Sequence, residues 1–397
     1  MSLRRQLGVS FVVQGVGAAT LLLGMVWLGA AEGPVVQGGF NRVKSEVEFV
    51  VALALFGLPQ ALFYFVKSGR IGARAAMRCV LGCTCVAAPI AGAFYLLRGT
   101  GGGWMAGLFV ATVMAAVGHG LLRGLLLIDV RTTWFNAVTA GPQVLILVGI
   151  GVVIAMDAST APSAWLWIFL GAFASVGIVS LWRLTTTPVV PIVPASEPRH
   201  WRGLMHYGLA TWIVAVLSTA AIVFMQHWVQ DREGPAALGR FTLASTLAQV
   251  PLTPIAYAAP LLLRRWMNQP GGRASRQLGA LVFAALLAAA ALVGVLAVWW
   301  PDLGLGASYS GLMPALAVLL LGGAAEAASR VLTIQASATG MPWVAVRAEV
   351  MRWSVLGIGW LAPLPHGLLP LCAVWSAAAI AAALVFVWHG RAEGLAR

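Results

Sequence analysis

The sequence predicts an all-α polytopic membrane protein of about twelve transmembrane helices, arranged in two six-helix lobes. The first observation is composition: 60% of the 397 residues are hydrophobic and 9% are charged, whereas an ordinary soluble domain carries about 25% charged residues. The second is that apolar runs of roughly 18–25 residues recur, each long enough to cross about 30 Å of hydrocarbon. A chain of this kind needs the bilayer as its solvent.

Short polar breaks separate the apolar runs and place the predicted spans in order along the chain. The twelve spans lie near 8–30, 45–66, 79–97, 104–127, 134–156, 164–182, 204–228, 241–263, 277–299, 311–339, 344–362 and 367–388.

The distribution of basic residues predicts the orientation of the chain. With a cytoplasmic N-terminus, 17 of the 25 Lys and Arg residues fall in inside segments and 5 in outside segments. Cytoplasmic loops carry the excess of Lys and Arg in membrane proteins. We therefore expect both the N- and C-termini to be cytoplasmic, in a bacterial inner membrane.

The longest non-apolar stretch lies in the middle of the chain and contains four prolines, which cannot continue a helix. We interpret 183–203 as a cytoplasmic linker between an N-terminal lobe at 1–182 and a C-terminal lobe at 204–388, with a tail at 389–397. Six spans on each side is the arrangement of an internally repeated transporter. No convincing residue-level repeat between the two halves is evident.

The net charge of +13 does not indicate nucleic-acid binding, because the arginines are scattered singly between apolar runs instead of lining one soluble face. The cysteines likewise predict neither a disulfide framework nor a metal site, since no His or Asp accompanies them. Small thiols pack well between membrane helices. The four are Cys79, Cys83, Cys85 and Cys372.

Three stretches resemble the polysaccharide flippases of the multidrug/oligosaccharidyl-lipid/polysaccharide exporter superfamily. They are the loop 28–40 with the following 56–66, the segment 229–266 that opens the second half, and the connection 334–353. The resemblance covers most of the chain in layout but is specific only at these places, and none of them is a catalytic signature. The charged stretch 42–48 departs from the family pattern.

The resemblance implies a fold and an activity. The fold would be two six-helix lobes around a central cavity that opens alternately to each side. The activity would be flipping of a lipid-linked oligosaccharide, on a polyprenyl pyrophosphate-type carrier, to the outer leaflet for polysaccharide export. Partners would be membrane lipids and polysaccharide assembly proteins. No cofactor is expected, apart from coupling to a proton or sodium gradient.

Charges at the start of the second span are the first candidates for the cavity. Arginine binds phosphate through a planar fork of donors. If the helix begins near Phe40, Arg42 pairs with Glu46 and Lys44 with Glu48, each at i,i+4 and on nearly opposite faces. The alternatives are a solvated outer loop and the outer mouth of the cavity.

Glu326 and Arg330 form the most deeply placed charged pair, near the middle of the tenth predicted span. A charge at that depth costs about 2.5–3.5 kcal/mol on insertion scales, so we expect the pair to have a structural or functional role. Glu326 with Arg330 is a candidate site for coupling transport to a proton or cation gradient. The alternative is a structural lock with Glu349 and Arg352 on the next span.

Other polar residues within apolar spans are candidates for substrate contact, although bridging between helices is the commoner role. His119 and Arg123, spaced i,i+4, either line the cavity or anchor the interface. The remaining candidates for substrate contact are Gln14, Gln60, Gln226 and His227. Prolines at matching places in the two halves are hinge candidates, with kinks that do not gate as the alternative: Pro59, Pro251 and Pro254.

Two other functions compete. A cation-coupled multidrug or toxin extruder needs an acid in the membrane core of the first lobe. We expect none there, because Glu46 and Glu48 are placed at a mouth and Asp129 and Asp157 at span ends. A membrane-embedded polysaccharide polymerase or acyltransferase needs acid/base or nucleophilic residues gathered at one face, and no such set occurs. We therefore expect a flippase and no enzyme.

Overall fold

In the computed structural model the chain is helical almost throughout. The structure describes residues 3–67, 70–99, 102–128, 133–158, 161–186, 198–253, 272–339 and 343–395, and the isolated residues 255, 259, 262, 263, 266 and 341. No strand occurs within these residues. The α-helices, in chain order, are α1 (Leu3–Leu55), α2 (Leu58–Lys67), α3 (Ala73–Arg98), α4 (Gly103–Leu126), α5 (Thr133–Ala155), α6 (Pro162–Thr186), α7 (Pro198–Glu233), α8 (Pro235–Gln249), α9 (Gly272–Trp299), α10 (Leu312–Ala338), α11 (Trp343–Leu361) and α12 (Leu368–Leu395).

These helices agree with most of the predicted spans to within a few residues. Nine helices of the described part are long and apolar enough to cross a membrane. One of them is α1, whose apolar stretch Val12–Leu55 has 44 residues, about twice the length that one crossing needs. The charged α11 coincides with the predicted span 344–362, and the short α8 overlaps the start of the predicted span 241–263, much of which lies outside the described residues. A twelve-helix layout therefore fits the structure.

Helix α1 contains the first predicted span, 8–30, and the start of the second, 45–66, which continues into α2, because the chain turns back at Gly33. This residue has φ 81° and ψ 177°, outside the helical region, and Pro34 then starts a new helical arm. The Gln37 side chain donates a hydrogen bond to the Met25 carbonyl at 2.8 Å. In a straight helix these residues would lie about 18 Å apart along the axis. The expected loop between the first two spans is thus a one-residue turn.

The chain divides into two compact units. The first unit comprises Met1–Gly24 and Arg42–Ala220, and the second comprises Met25–Asn41 and Ala221–Arg397. Residues 187–197, the central part of the linker expected at 183–203, lie outside the described residues. The division into lobes at that linker, and the cytoplasmic location of the termini, stay predictions.

Helix α4 is the central element of the first unit and packs against α2, α3, α5 and α6. Its small residues allow this close approach, which is how helices associate in lipid. At Gly124 a Cβ atom would lie 3.0 Å from the Pro59 carbonyl oxygen of α2. Gly124 therefore admits the α2 backbone directly against α4.

Helix α10 has the same central role in the second unit and packs against α8, α9 and α12. Its buried leucines, including Leu312, Leu316 and Leu319, join one apolar cluster with residues of α7, α8 and α12. The outer helix α9 instead exposes large apolar side chains such as Leu281, Val295 and Val298. Side chains of this kind suit contact with lipid tails.

We predict that replacing Gly124 with valine destabilises the protein by about 1–3 kcal/mol, the usual cost of overpacking. The physical reason is the contact of the new Cβ with Pro59. The measurement is the thermal midpoint of the detergent-solubilised protein. The matched control is Gly107→Val in the same helix, where no atom lies within 4 Å of an added Cβ. Equal midpoints for the two variants would contradict the packing described.

Candidate functional site

Four charged side chains on neighbouring helices of the second unit form a cluster. Glu326 and Arg330 lie on α10, and Glu349 and Arg352 lie on α11. The charges of both glutamates interact with both arginines. We refer to these four residues as the α10–α11 charge cluster. The sequence predicted the pair of Glu326 with Arg330 and, as an alternative role for it, a structural lock with Glu349 and Arg352 on the next span.

The two glutamates of the cluster differ in how firmly they are held. Arg330 donates to Glu326 Oε1 through Nη2 at 2.6 Å and through Nε at 3.2 Å. Glu349 Oε2 lies 3.6 Å from Arg352 Nη1 and is buried, and no group in the described part of the chain donates a hydrogen bond to it. The Glu349 side chain is only 10% exposed. Glu349 is therefore a buried carboxylate with unused hydrogen-bonding capacity.

Arg352 is held on two sides. Its guanidinium lies over the Trp375 ring, 5.9 Å from the centroid, and its side chain is 6% exposed. An aromatic face attracts a cation through the ring quadrupole. Arg352 therefore keeps a partner on α12 in addition to its contact with Glu349.

The first unit contains a buried acid, contrary to the expectation from sequence. Glu46 is 1% exposed and receives hydrogen bonds from Arg42, at 3.1 Å, and from Arg98 of α3. The expectation was wrong for two reasons. The helical arm starts at Pro34 rather than near Phe40, so Glu46 lies about 18 Å along it. Arg98, moreover, is 52 residues away in the sequence.

Both i,i+4 ion pairs expected near the start of the second span are formed. Arg42 pairs with Glu46, and Lys44 Nζ lies 2.8 Å from Glu48 Oε1. The pairs have different surroundings, since the Glu46 side chain is 2% exposed and that of Glu48 is 49% exposed. The role of Arg42 and Lys44 at a cavity mouth stays a prediction.

Two of the polar candidates in the first unit bond to other protein groups. Gln14 donates to the Asn136 side chain at 2.6 Å, joining α1 to α5. The His119 ring lies 3.1 Å from the Val138 carbonyl of α5. These contacts are bridges between helices, the commoner alternative for such residues.

The other polar candidates are placed as follows. Arg123 is half-buried near the end of α4, and Gln60 is exposed on α2. Gln226 is buried and His227 half-buried on α7. Whether any of them contacts a substrate stays a prediction.

The hinge candidates lie beside helix breaks. Pro59 is the second residue of α2, where its missing N–H costs nothing, and the break itself is at Phe56 and Gly57, with φ of 48° and 66°. Pro251 lies in the 3₁₀ turn Val250–Leu252 that follows α8. Pro254 lies outside the described residues. Their action as hinges stays a prediction.

Solved structures of membrane transporters share this fold. A MATE transporter in complex with MaL6 is 16% identical, with a TM-score of 0.70 over 98% of this chain and 95% of that chain. An inward-facing multidrug resistance MATE family transporter of the MOP superfamily is 15% identical, with a TM-score of 0.66 over 99% and 95%. The MATE transporter ClbM in complex with Rb+ is 18% identical, with a TM-score of 0.65 over 98% and 94%. At these identities the likeness concerns the fold.

The protein is thus a multi-pass membrane protein whose fold resembles that of MATE transporters. No protein-family model and no curated protein matches the chain.

The interpretation as a flippase of lipid-linked oligosaccharides is wrong. The structures that share the fold are MATE transporters, including multidrug resistance proteins, and they favour the cation-coupled extruder that the sequence had offered as the alternative. The argument against an extruder was the absence of a buried acid in the first six spans, and Glu46 is buried.

We predict that Glu46→Leu lowers the thermal midpoint by several degrees, because removing one member of a buried ion pair costs about 3 kcal/mol and leaves Arg42 and Arg98 without their carboxylate. The midpoint is measured on the purified protein in detergent. The matched control is Glu48→Leu, where an exposed pair with Lys44 is worth less than about 1 kcal/mol. If the thermal midpoint of the Glu46 variant equalled that of the Glu48 control, the contacts of Glu46 with Arg42 and Arg98 would not be what holds α1 to α3.

Proposed function

We propose that the protein is a cation-coupled multidrug or toxin extruder of the bacterial inner membrane. The observation that carries the proposal is Glu349, a buried and incompletely bonded carboxylate on α11, which coincides with the predicted span 344–362. Ionisable residues inside a membrane are costly, and they commonly mark ion pathways and proton relays. The fold supports the same proposal. One structure that shares it is described as a multidrug resistance transporter, and another as a complex with Rb+.

Within the cluster, Glu349 is better suited than Glu326 to exchange a cation. Two nitrogens of Arg330, Nε and Nη2, donate to Glu326, so a cation arriving there competes with a close ion pair. Glu349 has Arg352 at 3.6 Å and an oxygen free of hydrogen bonds from the described residues. We propose Glu349 as the coupling residue and Glu326 as the residue that fixes Arg330. This revises the assignment of coupling to Glu326.

Binding of a proton or a sodium ion to Glu349 would neutralise its charge and remove its attraction for Arg352. Arg352 would retain its cation–π contact with the Trp375 ring and its charge interaction with Glu326. It would therefore still have partners after Glu349 is neutralised. The cluster thus has two charge states, which differ in the charge interaction of Glu349 on α11 with Glu326 and Arg330 on α10. A transporter needs such a difference, because a ligand shifts a conformational equilibrium only through its differential affinity for the two states.

We predict that Glu349→Gln abolishes ethidium efflux driven by a proton or sodium gradient in proteoliposomes, because the amide cannot exchange a cation. The measurement is ethidium fluorescence after imposing each gradient separately, which also identifies the ion. The matched control is Glu48→Gln, a half-exposed carboxylate that should leave efflux unchanged. Wild-type efflux by the Glu349 variant would exclude this residue as the coupling site. No gradient-driven efflux of ethidium or rhodamine 6G by the wild type would overturn the proposed function.

A second variant separates coupling from structure. Glu326→Gln should retain gradient-driven efflux while lowering the thermal midpoint, since it weakens the hold on Arg330 without touching the proposed exchange site. Efflux and midpoint are measured on the same preparation. Loss of gradient dependence with an unchanged midpoint would instead place coupling at Glu326.

A further inference from the structure

A groove of about 200 Å³ runs between α5 and α6 of the first unit. We refer to it as the α5–α6 groove. Six of its seven lining residues have aliphatic or aromatic side chains, and the seventh is Ser175. The Ser175 hydroxyl donates to the Gly171 carbonyl of its own helix at 2.6 Å. The groove therefore presents an almost wholly apolar surface.

The groove has the length of one lipid chain. On α5 its lining residues extend from Trp134 through Val138 to Leu145, which lie on one face of the helix at helical spacing. Trp134 and Leu145 are about 16 Å apart along the helix axis. One leaflet contributes half of the hydrocarbon core of about 30 Å. An acyl chain lying along the groove would thus cross one leaflet.

The packing of α5 against α6 gives the groove a fixed floor and an open rim. An added Cβ on Gly141 of α5 would lie 3.0 Å from Val176 Cγ2 of α6, so the helices are in close contact there. Val138 and Val176 are buried on the floor, whereas Leu145 and Val179 are 39% and 43% exposed at the rim. The groove is therefore a preformed depression that a chain can enter from the side.

An arginine lies at one end of the groove. Arg183 is in the last turn of α6, one turn beyond the lining residue Val179. Its guanidinium carbon is 5.4 Å from the centroid of the Trp134 ring, at a distance where a cation is attracted to an aromatic face. Trp134 itself lines the groove. The apolar surface thus ends at a positive charge whose planar fork of donors suits a phosphate group.

Two tryptophans mark this end of the groove as the headgroup level. The Trp134 and Trp182 rings meet edge to face, with centroids 6.3 Å apart, and Trp182 is 57% exposed. Tryptophan is enriched at membrane–water interfaces. Arg183 would therefore lie beside phosphate groups while Leu145 lies deeper in the hydrocarbon. Basic pockets between membrane helices are known to bind anionic lipid headgroups.

We propose that the α5–α6 groove and Arg183 form a binding site for one anionic phospholipid. The phosphate lies on the Arg183 guanidinium, and one acyl chain lies along the groove between Trp134 and Leu145. The lipid is a bound component of the first unit and not a transported substrate. The proposal is therefore independent of what the protein extrudes.

The charge at Arg183 distinguishes this site from a surface that any lipid covers. A zwitterionic lipid also has a phosphate, but its headgroup carries a cation that the arginine repels. A lipid with a net negative headgroup keeps the full attraction. The site should therefore select lipids by headgroup charge, whereas an apolar groove alone would not.

The test measures the lipids that stay bound to the purified protein. The protein in detergent is titrated with dioleoyl phosphatidylglycerol or dioleoyl phosphatidylcholine, and the affinity for the first bound lipid is measured by native mass spectrometry. The wild type should bind phosphatidylglycerol several-fold more tightly than phosphatidylcholine, and Arg183→Gln should bind both alike. Equal affinities in the wild type, or a preference that persists in Arg183→Gln, would overturn the proposal.

The matched control removes one positive charge elsewhere in the first unit. Arg74 is exposed in the first turn of α3, so Arg74→Gln changes the net charge equally and should keep the preference. Arg183→Lys retains the charge and should restore part of the preference. Loss of the preference in both glutamine variants would mean that net charge causes it, and the site would be wrong.

A second pair of variants tests the groove itself. Ala137 is an exposed lining residue, and Ala137→Trp should weaken binding of both lipids several-fold because the indole occupies the place of the acyl chain. Gly171→Trp is the control, since an added Cβ at this exposed position of α6 has no atom within 4 Å. Unchanged affinity in Ala137→Trp would mean that the arginine binds a phosphate without the groove, and would contradict the proposed lipid site.

Discussion

The cost of placing an ionised group inside hydrocarbon organises this protein. A charge at the centre of a membrane helix costs about 2.5–3.5 kcal/mol on insertion scales, so each carboxylate there must have a partner or a task. Glu46 is held by two arginines and Glu326 by two nitrogens of one arginine. Glu349 has one arginine at 3.6 Å. The number and length of the contacts with arginine thus distinguish Glu46 and Glu326, which have structural roles, from Glu349, which we propose to exchange a cation.

Glycine gives the helices their breaks and their close contacts. Gly33, Gly57 and Gly234 adopt positive φ angles and interrupt the helical path where the chain must turn. Gly124 and Gly239 lie against backbone carbonyl groups. In lipid, helices gain nothing from burying apolar surface against each other, so close packing at small residues supplies much of the attraction.

Much of the fold follows from local patterns in the sequence. Apolar run length predicted most helices to within a few residues, and i,i+4 spacing predicted the pairs of Arg42 with Glu46, Lys44 with Glu48 and Arg330 with Glu326. These features depend only on neighbours along one helix. A loop between the first two spans was predicted, but its reduction to a one-residue turn at Gly33 was not, because only the backbone conformation shows it.

The sites were harder to predict because they depend on contacts between distant segments. Glu46 is placed at a mouth by its charged neighbours in sequence, yet Arg98 of α3 completes its burial. That single contact reverses the argument about membrane acids on which the choice between flippase and extruder depended. The difference between Glu326 and Glu349 has the same origin. Both carry an arginine at helical spacing, and only the packing of α10, α11 and α12 shows which pair is close.

Counting the ions that are displaced by substrate tests the central claim most directly. Ethidium binding to the purified protein is measured by calorimetry in buffers of different ionisation enthalpy, and again across a series of sodium concentrations. The account predicts that binding releases protons or weakens with sodium in the wild type, and does neither in Glu349→Gln. Binding that is indifferent to both cations in the wild type would contradict it.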